Sequence, residues 1–220
     1  MFIPLSFPGP PAVIESNRIR LCALQESHFG DLIALGLEKR IWAHYPIDLS
    51  VPERHLRHLM EIQEQVQSGT SHAFVILHAT TDVLLGMTRL FHIQTRHLQC
   101  ETGSWLAPAH WGSRINTESK FLLLNYCFET LQLLRVQFRT DVRNIRSRCS
   151  LEKLGAHFEG VVRKERILEN GTVRDAALYS IISSEWPDVK RNLLQKIGFQ
   201  SEYSLFDALK PESGTSVPAV

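Results

Sequence analysis

Charge of one sign is the first thing this chain lacks: 24 Lys and Arg stand against 23 Asp and Glu, a formal net charge of +1. A protein that coats nucleic acid or an anionic membrane carries a one-sided field, so neither is expected as a partner. Long apolar runs are missing too. The longest, residues 73–77 and 121–124, fall far short of the roughly 18–20 residues a membrane helix needs. The start, MFIPLSFPGPP, has no basic stretch and is broken by Pro4, Pro8, Pro10 and Pro11, which argues against a secretory signal. Cysteine is scarce. Cys22, Cys100, Cys127 and Cys149 fall at irregular spacing without a CxxC, so neither a disulfide framework nor a metal clip is expected. The ten histidines form no HExxH pair, and no metal is expected. What remains is 220 residues, 44% hydrophobic and 21% charged: one cytoplasmic domain with appendages and a full core.

What is present is a pattern whose period changes along the chain. Residues 1–17 are Pro-rich and aperiodic and read as an extended arm. Residues 18–23 alternate like a strand, and 27–42 place Phe29, Leu32, Ile33, Gly36 and Leu37 at helical spacing. A second helix opens at a Ser50/Glu53 capping box, carries a stripe of Leu56, Leu59, Met60, Gln63 and Val66, and stops at Gly69. Strands are expected at 72–79, 83–93 and 98–106, then a long buried helix at 116–133 and a strand at 135–140. A short helix at 144–154 is closed by Gly155. Strands 157–168 and 173–182 flank Asn170-Gly171, a strong hairpin signal. Ser184 is placed to cap a last helix with Pro187 in its first turn and Val189, Leu193 and Ile197 as its stripe. The order predicts an α/β (α+β) fold: a mixed, mostly antiparallel sheet of about seven strands with helices on both faces. An arm at 1–17, a domain at 18–197 and a flexible tail at 198–220 complete the division.

Three segments invite chemistry. The loop Trp111-Gly112-Ser113-Arg114-Ile115-Asn116-Thr117 runs from a strand into a helix N-terminus, where unpaired N–H groups and the helix dipole suit an anion, with Arg114 as a bidentate cation. An ordinary strand–helix connection would look the same. Asn144 is placed as an N-cap, and Ser147 shares a face with Leu151 and Leu154, so it points inward. Between residues 135 and 166 nine Lys and Arg stand against four Asp and Glu, a basic patch that suits a polyphosphate or is simply a solvated face. The Gly-x-x-x-x-Gly-Lys-Ser/Thr phosphate motif is absent, which disfavours ATP as the ligand.

In this order the segments ETGSWLAP, HWGSRINTESK, YCFETLQLLRVQFRTDVRNIRSRCSLEKLGAHFEG, RDAALYSI and EWPDVK resemble the GNAT superfamily of N-acetyltransferases, and more narrowly the RimJ/RimL type that acetylates N-termini of ribosomal proteins. The resemblance spans residues 17–197. It implies the GNAT fold, with acetyl-CoA as acyl donor wedged between two splayed parallel strands, here within 101–106 and 135–140. It implies a pyrophosphate loop at Trp111 to Thr117, Asn144 hydrogen-bonding the pantetheine arm, and Ser147 near the sulfur as the acid for the thiolate. Glu101 is the implied base for the amine, directly or through water, and a free N–H around Trp105 and Leu106 polarises the thioester carbonyl. The acceptor is a primary amine, on a protein N-terminus or a small molecule. The loop departs from the family pattern, since Arg114 and Asn116 stand where small residues are usual. Leu151 stands where many members carry a tyrosine acid. The family's carboxylate on the strand after the short helix is replaced by Arg166, with the neighbouring Glu165 expected on the opposite side of the strand. The apolar, Pro-rich start suits a homodimer contact. The alternative is a non-catalytic acyl-CoA-binding or regulatory module.

Overall fold

The computed structural model describes residues 7–169 and 171–198. Eight strands form one sheet: β1 (Val13–Glu15), β2 (Ile19–Ala23), β3 (His72–His78), β4 (Leu84–Gln94), β5 (Gln99–Leu106), β6 (Arg135–Asp141), β7 (His157–Ile167) and β8 (Val173–Ile182), in the order β1-β2-β3-β4-β5-β6-β8-β7. All neighbours are antiparallel except β5 and β6, which are parallel. The additional strand is β1. It lies within the expected arm, where Val13 pairs with Cys22 and Glu15 with Arg20 at the sheet edge. Three residues are too few to show a period, so only pairing reveals it. Most of the expected tail lies outside the described residues, as does Asn170. The hairpin it begins is closed by Gly171 N–H donating to the Leu168 carbonyl at 2.9 Å.

Helices α1 (Phe29–Leu35) and α2 (Pro52–Gln67) cover one face, where Leu32, Leu59 and Ile62 pack on Ala73, Val75 and Met87. Helices α3 (Arg114–Asn125), α4 (Ile145–Leu154) and α5 (Trp186–Ile197) contribute to the larger core on the other face. There Phe121, Leu122, Leu123 and Leu124 are all fully buried, as four consecutive apolar residues in a helix require, since together they face every side. After Asn125 the helix widens into a π-turn at Tyr126–Thr130, with Leu131 N–H donating to the Tyr126 carbonyl.

Several boundaries differ from expectation. The first helix is only α1, followed by a separate 3₁₀ turn at Lys39–Ile41. Ser50 does not cap α2, because its hydroxyl donates to Asp48 Oδ1 at 2.7 Å and the helix begins at Pro52 behind Val51. The buried stripe of α2 is His55, Leu59 and Ile62, while Leu56 and Met60 are exposed. Ser184 does not cap α5; Glu185 holds that position, and its carboxylate accepts from the Ile182 N–H instead.

Candidate active site

The site begins where the parallel pair fails. Strands β5 and β6 pair only at Gln99–Arg135, Cys100–Val136 and Glu101–Gln137. Beyond these, β5 keeps pairing with β4 as far as Leu106, and β6 with β8 as far as Asp141. Each strand keeps one partner and loses the other, so a gap opens inside the sheet. It forms part of a cavity of about 750 Å³. Ala107 N–H donates to the Leu85 carbonyl, which by antiparallel alternation turns the N–H groups of Ser104 and Leu106 away from β4 and into the gap.

One end of the gap meets the N-terminus of α3. Trp111 donates its indole N–H to the Leu106 carbonyl at 2.9 Å, and Gly112 turns the loop at φ 73°, a conformation that favours glycine. Ser113 then caps α3 by accepting the Ile115 N–H at 3.3 Å. Gly112, Ser113, Asn116 and Thr117 line the cavity. Arg114 and Ile115 do not. Arg114 is exposed and its guanidinium lies beside Gly198 at the end of α5, while Ile115 packs against the core. The cations that do line the mouth are Arg146, Lys153 and Lys196, with Arg146 stacked 3.4 Å over the Trp111 ring. The unusual Asn116 donates its side-chain amide to Ser150 Oγ at 2.9 Å, joining α3 to α4.

The strand–helix turn after β6 is fixed by two short-range devices. Asp141 accepts from the backbone N–H of Arg143 and from its guanidinium, at 2.8 and 2.7 Å. Asn144 then caps α4, accepting the Ser147 N–H at 3.1 Å, and Gly155 closes the helix. Asn144, Ser147 and Leu151 all face the cavity.

On the α1/α2 face, Glu101 is buried at 5% exposure and lines the cavity. Its Oε2 accepts from Gln137 Nε2 at 3.0 Å and faces Arg139 at 3.2 Å, with His92 Nδ1 3.6 Å away. Arg139 also reaches Glu165 at 3.2 Å, and Glu165 pairs with Arg166 and Arg174. Burial pushes the Glu165 carboxyl up, but the hydrogen bonds and charge of Arg166, with Arg139 and Arg174, prevail and hold it at about 2. Glu165 therefore does not turn away from this face as strict alternation requires. Lys164 adopts φ 51°, its N–H donates to Asp175 Oδ1, and the β7–β8 register shifts between Val162 and Arg166. That bulge resets the side-chain direction.

An aromatic box walls the same lobe. Trp105 meets Trp42 edge-on at 5.2 Å and His55 at 5.9 Å, and Tyr45 meets His58 at 6.3 Å. Burial pushes His55 and His58 down to about 4, so both imidazoles are neutral near pH 7. Gly36 makes this packing possible: a Cβ there would lie 2.5 Å from the His55 ring.

Sequence reasoning missed this box, the Arg139 bridge and Lys120. Lys120 lines the cavity from α3, donates to Ser104 Oγ at 2.8 Å and lies 5.5 Å from the Phe138 ring centroid. A lysine directly before the apolar run 121–124, in a helix expected to be buried, was the available signal. The histidines and Arg139 gave none, because long-range pairing brings them together.

The sequence and the fold are both similar to those of known acetyltransferases. The acetyltransferase (GNAT) domain family matches residues 18–157. YjcK of Bacillus subtilis, named a probable N-acetyltransferase, is 33% identical over 139 residues, covering 63% of this chain and 76% of YjcK. A T. thermophilus protein assigned as an acetyltransferase superposes with TM-score 0.76 at 32% identity, covering 84% of this chain and 97% of its own. Mycobacterium smegmatis RimJ, solved in complex with CoA-disulfide, shares the fold with TM-score 0.75 at 20% identity, covering 87% of this chain and 97% of its own.

Proposed function

The chain belongs to the GNAT acetyltransferase family, and from that premise we propose how its cleft moves an acetyl group from acetyl-CoA to a primary amine, on a protein N-terminus or a small molecule. The observation that carries the proposal is the split strand pair ending on a helix N-terminus. An amide-bearing pantetheine arm is a strand substitute, and the gap offers it the unpaired N–H groups of Ser104 and Leu106. The Asn144 side chain reaches the same arm, and Trp105 walls it. The phosphates fit the loop from Trp111 to Thr117 through the N–H groups of Gly112, Arg114 and Asn116, since those of Ser113 and Ile115 are taken by the His110 carbonyl and Ser113 Oγ, with Arg146, Lys153 and Lys196 supplying charge. Arg114 contributes through its backbone, since its side chain points elsewhere.

The amine enters on the face of the aromatic box. Only its neutral form attacks, and Glu101 takes its proton directly or through water. Of the two N–H groups that face the gap, Leu106, nearer the phosphates, serves the arm, and Ser104, farther along, polarises the thioester carbonyl as charge develops on oxygen. Ser147 donates a hydrogen bond to the departing sulfur. Holding amine and thioester in register supplies much of the acceleration. The proposal extends to a cytoplasmic setting, which the four unpaired thiols suit, and to a homodimer, for which the exposed Phe158, Val161 and Val162 on edge strand β7 offer an apolar surface.

Thermal denaturation with acetyl-CoA, CoA, ATP and NAD tests the ligand. At ~100 times its dissociation constant a ligand adds roughly 2.7 kcal/mol, which for a chain of this size raises the Tm by about 5–10 °C. Stabilisation by acetyl-CoA and CoA but not by ATP or NAD is expected, followed by CoA release with an amine acceptor. Preference for ATP or NAD, or no shift at all, overturns the proposal.

A further inference from the structure

We propose that Lys120 is a catalytic residue, the ammonium acid that protonates the CoA thiolate as it leaves; this rests on the acetyl-transfer reading above. Lys120 is buried, yet it is among the residues that line the cavity where the strands part, and its Nζ reaches Ser104 of β5. Its partners are the Ser104 hydroxyl, itself 2.6 Å from Thr88 Oγ1, and the face of Phe138. No ion pair neutralises it among the described residues. A desolvated cation without an anion is unfavourable, and one placed in a substrate cleft is stabilised when negative charge arrives there.

Which anion arrives is fixed by position. Lys120 stands six residues after Arg114, roughly 9 Å along the axis from the start of α3, so the phosphates at the helix end are out of its reach. It is beside Ser104, whose backbone N–H faces the gap. Negative charge is generated along that stretch twice, on the thioester oxygen, which a backbone N–H receives, and then on the sulfur, which must gain a proton. When the amine nitrogen bonds to the carbonyl carbon and the C–S bond breaks, the electron pair stays on sulfur. A Lys120 N–H then breaks as S–H forms, and the neutral amine left behind regains a proton from water, balancing the proton that the acceptor nitrogen gives up. The Ser147 hydroxyl can hydrogen-bond the sulfur, but as a far weaker acid it is the poorer source of a proton. Leu151, the next inward position of α4, has none.

The surroundings suit an acid working near neutral pH. Burial pulls Lys120 down to about 8, close to an ordinary thiol at ~8.5. The titratable neighbours are thiols: Cys127 of the π-turn and, beyond it, Cys100 of β5. Strand β6 presents Phe138, α4 contributes Ser147 and Ser150 to the same cavity, and Glu101 and Arg139 lie on the other face of the sheet.

Lys120→Met and Lys120→Arg test the assignment, with the intact chain, acetyl-CoA and the best amine from an acceptor screen. Arginine keeps the charge but does not release a proton at these pH values. Both variants should lose kcat by about 100-fold, the lower end of general acid catalysis, with KM for acetyl-CoA within about threefold. The wild-type decline in kcat above about pH 8 should vanish in both. Unchanged kcat, a persistent alkaline decline, full activity in Lys120→Arg, or a loss confined to either KM overturns the role. If Lys120→Met fails to fold, Lys120→Arg alone decides. Wild-type turnover separates the two levels: an active wild type with equally active variants removes only Lys120, whereas an inactive wild type that acetyl-CoA does not stabilise removes the acetyl-transfer reading.

Discussion

Glu101 sits where two demands meet. Its Oε2 is shared by Gln137 and Arg139, so the carboxylate is held in place, and its burial beside the cavity keeps competing water away. In its proposed role as base it acts from fixed geometry, and its removal should matter most where the acceptor is mainly protonated. Glu101→Gln is therefore expected to lower kcat/KM by about 100-fold at pH 7 and by much less near pH 10, where the amine loses its proton unaided. A constant ratio of variant to wild-type rate across that span counts against the base role. Since Arg139 bridges Glu101 and Glu165, the variant also leaves a guanidinium with one carboxylate in place of two. A pH-independent component of the loss therefore reports on Arg139 positioning.

At the scale of elements, α3 is held by a charge in its own interior. Glu118, fully buried, accepts from Ser16 Oγ at 2.5 Å and Arg18 Nε at 2.6 Å, and Arg18 Nη2 continues to the Ile197 carbonyl at 2.6 Å. The link ties the β1–β2 turn, α3 and the end of α5 together. Because Arg18 is partly exposed, Glu118→Gln should cost about 2–3 kcal/mol, less than the loss of a fully buried pair. Chemical denaturation that finds under 0.5 kcal/mol would make the link incidental. This link and Lys120 mark the limit of what the sequence discloses. Elements bounded by Gly155, Pro187 or Asn170-Gly171 are legible because the punctuation is local and covalent. The partner of a buried charge is not, since Ser16 and Glu118 are 102 positions apart. Likewise the cap at Asn144 is readable from its neighbours, whereas the bulge at Lys164 exists only because β7 must match β8. The stripe of α2 was displaced because His55, counted as polar, is the residue that packs inward beneath Gly36.

The whole molecule carries buried histidines whose neutral form is native. Burial pushes His55, His58 and His72 down to about 4, below the ordinary histidine value of 6.5. The unfolded chain thus takes up more protons than the folded one between about pH 6.5 and 4. The stability these residues support is full above that window and is lost as pH falls through it. A drop on the order of a few kcal/mol is expected, seen as a falling Tm between pH 7 and 4.5; a flat Tm would contradict it. Glu159, held at about 2 by Arg135, and Glu165 act in a lower window, losing their contribution as pH falls below about 4.5.

Two blocks of strands, β1 to β5 and β6 to β8, share only three residue pairs at one end of the gap. They are leaves on a short spine. At the open end, the Asn116 amide grips Ser150 across α3 and α4 like a clasp. A small residue at position 116 would remove this tie and leave the Arg146 stack over Trp111 to hold that end. With asparagine, the open margin is fastened before any ligand arrives, so the slot is tensioned in advance and the cosubstrate slides into a frame already braced on both sides.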